Sequence, residues 1–483
     1  MTSANAEFWR KHGDHVFMVM PYADEVLVKA QGCTLYDADG KEFLDLAAGM
    51  FCCVLGHNHP KFVDRVVGQI KTLLHTGTQF LSTPVLEAGQ KLAQIAPGPL
   101  QKAVFFSTGT EANEFALRIA KAHTGRTGIM GLSRGYYGTS VATKSCSSLA
   151  SHRLRDSLPT IPESVRLPIG PQCVRCFSTP AGANCQLACL ADVESWIGDW
   201  SNIAAVIVEP VLSAGGMLFP PDGYLKRLRE LAHTNGALFI VDEAQTGFGR
   251  TGKWFAIEHH DAQPDILTLS KSIGNGFPVA AVVTTDKIAD DVVAKGLWNL
   301  SSHQSDPVAA TAAAAVIDIV REEGLLERAR ESGDYFMSAL KALSEKIPAI
   351  ANVRGQGLMI GFDLVPNDPE QTASLVNDFM FGCRRRGVHL TYGFGGVNFR
   401  IIPPLVITRP EMDLAVRVIE ESLRSALSGA GSNRSDWPSN PYTKQLFEKP
   451  YWRRLGHFFW HSSPADVVAK GREVVKERFG RRG

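Results

Sequence analysis

The chain predicts an α/β fold in which a large, mostly parallel sheet is covered by helices and a smaller α+β domain closes the molecule. Three observations lead there. Between about residues 60 and 310, short β-branched runs alternate with helical patterns, the signature of a sheet built from βαβ units. Several of those runs are continuously apolar, as strands buried on both faces are. With 483 residues, 45% of them hydrophobic, the chain can fill more than one domain core.

The elements follow in order. Residues 1–60 read as an N-terminal arm in which LVKAQGCTLYDADGKEFLDL forms a β-hairpin turning at Asp39-Gly40 and joins the smaller domain. Residues 61–310 read as the large domain, with strands over 102–106, 204–208, 237–241, 266–269 and 278–283. EANEFALRIAKAH follows the first strand as a helix. DGYLKRLRELAHTNG reads as another, capped by Asp222 and stopped at Gly236. Residues 311–428 read as the smaller domain, opening with TAAAAVIDIVREEGLLERARESGDYFMSALKALSEK as one long helix and continuing with GLMIGFDLV as a strand. Residues 429–483 are a polar linker and an extra tail. Packing of its Trp452, Phe458, Phe459 and Trp460 against the body or a partner subunit is the expected role.

A formal charge of +1 with 20% charged residues produces no global field favouring nucleic acid or an anionic membrane. The polar start, MTSANAEFWRKHGDH, lacks the apolar core of a secretory signal, and no later apolar run would span a bilayer. A soluble cytoplasmic protein is therefore expected. In such a compartment structural disulfides are not expected. Of the nine cysteines, Cys173, Cys176, Cys185 and Cys189 could offer four thiolates to zinc, but reduced thiols on a surface insertion are the preferred reading. Cys52 and Cys53 read as small buried apolar residues.

The segments FIVDEAQTGFGRTG and PDILTLSKSIGNGFP place Asp242 just past one buried strand and Lys271 just past another. In open α/β sheets the ligand crevice lies at the carboxyl ends of the strands, so this acid and this amine meet one bound molecule. A pyridine cofactor suits the pair: the acid keeps the ring nitrogen protonated, and the lysine forms a Schiff base and then serves as general base. Taken singly, Lys271 would read as a solvated loop lysine and Asp242 as a helix cap. A second segment, AVFFSTGTEANEFALRIAKA, runs from a strand through Ser107-Thr108-Gly109-Thr110 into a helix whose N-terminus could cradle a phosphate. It is neither G-x-G-x-x-G nor a Walker loop, which disfavours dinucleotides and nucleoside triphosphates.

Together with VLGHNHP, GYYG, EPVLSAGG, SSHQSDP and FRIIPPL, these segments resemble class III aminotransferases of the fold-type I group over roughly residues 20–426. The resemblance implies a seven-stranded large-domain sheet, pyridoxal 5′-phosphate as cofactor, an amino donor and a keto acid as substrates, and a homodimer. By the same resemblance, Thr108, Gly109 and Thr110 hold the cofactor phosphate, Tyr136 stacks on the ring and Glu209 lies beside the cofactor. Asp242 pairs with the ring nitrogen, Gln245 contacts the phenolic oxygen, and Lys271 carries the cofactor. Ser302 reaches the phosphate from the neighbouring subunit, and Arg400 clamps the substrate carboxylate, for which its planar fork is suited.

Within the family the motif pattern is most similar to 2,2-dialkylglycine decarboxylases, with departures at the pocket. Met50 stands in place of a glutamine that meets the substrate carboxylate, Ala214 in place of a serine, and Tyr136 and Tyr137 in place of a tryptophan and a histidine. Losing polar partners in a carboxylate pocket shifts the substrate, so ordinary transamination is expected, with decarboxylating transamination and epimerisation as alternatives. A non-catalytic regulator is disfavoured, since no DNA-binding module precedes residue 20 and Lys271, Asp242 and Arg400 are intact. No metal is assigned. The decarboxylase resemblance would place an alkali ion near Thr78, Ser302, Gln304 and Asp306, but their spacing alone does not distinguish a site from a hydrogen-bonded loop.

Overall fold

In the computed structural model, the described residues are 3–429 apart from 18, 20–21, 78, 133, 148–163, 168–189, 191–199, 366–371 and 394–396. Cys173, Cys176, Cys185, Cys189, Thr78 and the tail from residue 430 lie outside them.

Near the N-terminus the chain forms an antiparallel meander of β1 (Leu27–Gln31), β2 (Thr34–Asp37) and β3 (Glu42–Asp45). The β2–β3 turn falls at Asp39-Gly40 as expected. Asp37 accepts hydrogen bonds from the Asp39 and Lys41 amides at 3.0 and 2.8 Å, and Gly40 supplies the left-handed φ of 82° that the turn requires. β3 pairs in parallel with Val388–His389, which attaches the arm to the C-terminal part of the chain.

The main sheet holds β4 (Leu100–Phe106), β5 (Gly128–Leu132), β6 (Ser164–Leu167), β7 (Ile203–Val208), β8 (Leu238–Asp242), β9 (Ile266–Leu269) and β10 (Ala280–Thr285) in the order β4-β10-β9-β8-β7-β5-β6. All run parallel except β10, which is antiparallel to both its neighbours. The five strands read from the sequence are recovered with ends shifted by two residues at most. Strand side chains alternate between faces, so Val206, Val208, Phe239 and Val241 enter one core and Ala205, Ile207 and Ile240 the other. Two apolar layers, one on each face, explain why β7 has no polar residue.

Two helical readings are corrected. The helix after β7 spans Tyr224–Thr234, and the residue at its N-cap is Gly223 with φ 76°, not Asp222. The long Ala-rich run is two helices, Pro307–Glu322 and Leu325–Lys346, because Gly324 between them adopts φ 62° and breaks the hydrogen-bond ladder. The first straddles residue 311 and packs on the helices Pro60–Thr72 and Thr83–Ile95, beside the main sheet.

The C-terminal part adds β11 (Ile350–Gln356), β12 (Met359–Leu364), β13 (Val388–His389), β14 (Thr391–Tyr392) and β15 (Asn398–Ile401), with β11-β12-β15-β14 forming an antiparallel sheet. Its β11–β12 turn sits directly on the loop that follows β8. The Leu358 amide donates to the Arg250 carbonyl at 2.9 Å, and a side chain at Gly357 would meet that oxygen at 2.6 Å. Behind it, a Cβ at Gly333 would lie 2.2 Å from the Gly357 carbonyl oxygen. Gly333→Ala should therefore force backbones apart and lower stability by about 1–3 kcal/mol, read as a reduced unfolding midpoint in calorimetry.

Candidate active site

β4 and β9 are both antiparallel to β10, so the carboxyl ends of β4, β9, β8 and β7 share one edge of the sheet. That edge delivers Ser107–Thr110, Lys271, Asp242 and Glu209 to a common crevice, with Tyr136 four residues past β5.

Lys271, partly buried, opens a 3₁₀ turn over Lys271–Gly274 with φ 53°, a left-handed conformation that costs a non-glycine residue about 1–3 kcal/mol. Neighbouring contacts hold the turn in place. The Ser272 hydroxyl donates to the Phe51 carbonyl at 3.3 Å. Asn275 accepts from the Leu55 amide at 2.8 Å and donates to the Gly56 carbonyl at 3.1 Å. Thus LSKSIGN is locked to the VLGHNHP loop.

Asp242 ends β8 and is buried. The Asn113 amide donates to it at 2.7 Å and also to the Tyr137 carbonyl at 2.8 Å, while the Thr268 hydroxyl donates to Asn113 Oδ1 at 2.6 Å. Burial raises the Asp242 pKa. The Asn113 and Ala244 hydrogen bonds and the Lys271 charge oppose that rise. Glu209 is also buried and accepts from the Tyr136 amide at 2.8 Å. Burial and then repulsion from Asp242 push its pKa up to about 8, against the pull of the Tyr136 amide and Lys271.

Thr108 caps the helix Gly109–Thr124 in a reciprocal box with Glu111. At the helix start, a Cβ on Gly109 would lie 3.1 Å from Ser270 Cβ, so this N-terminus abuts the residue before Lys271. Thr110 faces Gly138, where an added Cβ would sit 2.7 Å from its hydroxyl oxygen. Tyr136 is half-buried at the crevice. Tyr137 turns the other way, fully buried, its hydroxyl donating to the Ile207 carbonyl at 3.0 Å. Gln245 is buried, and its Oε1 has no hydrogen-bond partner among the described residues. Arg400, buried on β15, donates to the Tyr392 carbonyl at 3.0 Å and stacks 4.6 Å above the Phe51 ring, while its Nε has no partner among the described residues. Burial pulls the Arg400 pKa down to about 10, opposed by Glu209 and Tyr392.

Two sequence-predicted residues are exposed in the single chain. Met50 is 60% exposed, in a turn where Ala48, Gly49 and Phe51 all take positive φ. Ser302 is exposed in the loop preceding the helix Pro307–Glu322.

Asn113, Arg250 and the Asp45–His57 pair were not singled out in the sequence. Asn113 lies inside STGTEANE, and its signal was the helical spacing that turns it toward β8. Arg250 is fully buried and ties the Phe51 and Pro403 carbonyls together. Asp45 braces the Met50 turn through the Ala47 and Gly49 amides, at 2.9 and 2.6 Å, and meets His57 Nε2 at 2.8 Å.

A pyridine phosphate fits the groups at this edge: a helix N-terminus for the phosphate, a buried acid for the ring nitrogen and an amine for the aldehyde, with Arg400 Nε a buried donor unpartnered among the described residues and so available to an anion. The comparisons with known proteins agree. The class-III aminotransferase family matches residues 19–423, and the chain belongs to it. An uncharacterized aminotransferase of Schizosaccharomyces pombe is 35% identical over 430 residues, spanning 87% of this chain and 93% of its own. The mitochondrial alanine–glyoxylate aminotransferase 2 of Pongo abelii is 33% identical, with 85% of each chain covered. The crystal structure of an (S)-enantioselective omega-transaminase from Thermomicrobium roseum superimposes with a TM-score of 0.79 at 28% identity, covering 88% of this chain and all of that one. The protein is a pyridoxal-phosphate-dependent aminotransferase with the expected fold-type I architecture. The narrower likeness to dialkylglycine decarboxylases is not what these relatives share.

Replacing Asn113 by Ala should raise the Asp242 pKa further and leave buried partners unsatisfied, lowering stability by about 1–3 kcal/mol in urea denaturation. The His57 pKa is pulled down by burial but raised more by Asp45 and Cys53, to about 10. Since the folded value exceeds the ordinary 6.5, the pair's stabilisation is complete below about pH 6.5 and lost as pH climbs through about 10. The stability gap between wild type and His57→Asn should shrink across that window, as followed by denaturation at stepped pH.

Proposed function

We propose that this enzyme moves an amino group from an α-amino acid or ω-amine to a small keto acid such as pyruvate, without decarboxylation, as a homodimer. One observation carries the reading: an amine, Lys271, and a hydrogen-bonded buried acid, Asp242, lie at one sheet edge beside a helix N-terminus. Bound pyridoxal phosphate supplies the electron sink that makes the substrate Cα–H acidic. The chain's residues then divide the work. Thr108, Gly109 and Thr110 would hold the phosphate at the helix N-terminus, where backbone N–H groups and the helix dipole favour an anion. Asp242 would keep the ring nitrogen protonated, Gln245 would contact the phenolic oxygen, and Tyr136 would stack on the ring. Glu209 orients the Tyr136 backbone. Lys271 would hold the cofactor through its amine, and that same amine would be the base that accepts the proton from the substrate Cα. Arg400, seated on Phe51, takes the substrate carboxylate.

Met50 and Ala214 provide no side-chain hydrogen bond to a carboxylate held perpendicular to the ring, which favours loss of the proton over loss of carbon dioxide. Leu74, Phe80, Leu81, Trp298 and Leu300 are exposed in segments close in sequence to Ser302 or to the helix Thr83–Ile95. Such an apolar surface supports a second subunit that would receive Ser302.

The visible absorption of the bound cofactor should bleach with a suitable amino donor and return on adding pyruvate. Lys271→Ala should abolish this band and lower turnover by about 10³-fold or more. Carbon dioxide released from 2-aminoisobutyrate at the transamination rate would reject the non-decarboxylating reading. Sedimentation at the monomer mass in the presence of cofactor would reject the dimer.

A further inference from the structure

Away from the crevice, two imidazoles and a carboxylate converge. His75 follows the helix Pro60–Thr72, whereas His303 and Asp306 belong to the loop that leads into the helix Pro307–Glu322. His75 Nδ1 lies 2.5 Å from Asp306 Oδ1, and His303 Nδ1 lies 2.6 Å from Asp306 Oδ2. The two rings are 5.5 Å apart at 54°, and one ligand atom from each of the three residues lies within 4.8 Å of the others. Asp306 occupies an N-cap position, where an aspartate ordinarily accepts from the helix amides, yet its carboxylate makes no such bond and turns to the histidines instead.

We infer that His75, His303 and Asp306 form a site for a divalent cation of the zinc and cobalt type, joining the His75 segment to the loop that carries Ser302. Two imidazole nitrogens with one carboxylate select such borderline ions, whereas alkali ions and magnesium take oxygen donors. Zinc bound at about 2.0–2.2 Å by tetrahedral ligands spaces them about 3.3–3.5 Å apart. The present nitrogen–oxygen pairs, at 2.5 and 2.6 Å, need to open by roughly 0.8 Å, and a separation at the 4.8 Å limit to close by roughly 1.4 Å. On binding, each Nδ1 gives up its proton to water, a neutral ring taking one back on its exposed Nε2, and the cation replaces the two hydrogen bonds to Asp306. In the single chain the histidine side chains are 44% and 68% exposed, and they flank the apolar surface proposed above to meet a second subunit, so the remaining positions of the ion fall to water or to that subunit. This donor set differs from the oxygen set implied by the decarboxylase resemblance. Of that set, Gln304 already accepts from Asn299 at 2.7 Å, and Asp306 is the member the two sets share.

The test uses the full-length, tag-free, cofactor-loaded enzyme, stripped with chelator, incubated with zinc chloride and desalted before its metal content is measured. Wild type should retain one more equivalent of zinc per chain than either His75→Ala or His303→Ala. Its calorimetric zinc affinity should exceed theirs at least tenfold, with a zinc-dependent rise in melting temperature that both variants lack. Zinc bound by thiolates elsewhere is common to all three proteins and cancels in the difference. Equal zinc content in wild type and variants overturns the inference. So does a melting-temperature response to potassium or sodium with none to zinc.

Discussion

The site depends on keeping one carboxylate charged where the protein is dry. Asp242 ends a strand whose side chains fill both cores and is itself buried, and that burial raises its pKa. Asn113 counters this from the neighbouring helix, and Thr268 fixes which way that amide faces. The helix Gly109–Thr124 is thus tied to the strand pair β8–β9 by a buried polar chain. Its N-terminus is the phosphate cradle, so the same contact that steadies the acid also sets the distance from cradle to acid.

A second set of constraints holds Lys271. A lysine in the left-handed region is strained, and the strain persists because Ser272 and Asn275 are bonded to backbone groups of the Phe51–Gly56 loop. That loop is in turn braced by Asp45 and by Arg250, whose guanidinium reaches Phe51 and Pro403. Arg400 lies over the ring of Phe51. The amine and the carboxylate clamp are therefore carried by separate sheets but registered through one aromatic residue, which gives the N-terminal arm a part in setting pocket width.

Legibility differed by element for physical reasons. Strands with uninterrupted β-branched runs, such as β7 and β9, were readable because burial on both faces removes polar residues. β5 was not, since GIMGL carries two glycines and lacks that composition. The break at Gly324 hid inside a helical pattern, because a single glycine costs a helix only about 0.5–1 kcal/mol and its left-handed φ is not visible in the sequence. Asp222 looked like a cap by residue type, but the chain places Gly223 at the helix entry.

For the site, the sequence by itself determined the chemical inventory: an acid and an amine after buried strands, a hydroxyl-rich helix N-terminus, and motifs specific enough to identify the family. These are local patterns, set by spacing within a few residues. Tertiary structure alone decided which groups are silent and which are poised. It turned Tyr137 into the core and left Tyr136 at the crevice, raised Glu209 beside Asp242, orphaned the polar atoms of Gln245 and Arg400, and left Met50 and Ser302 exposed. Solvation and charge depend on neighbours hundreds of residues away, and that information is absent from any local stretch of chain.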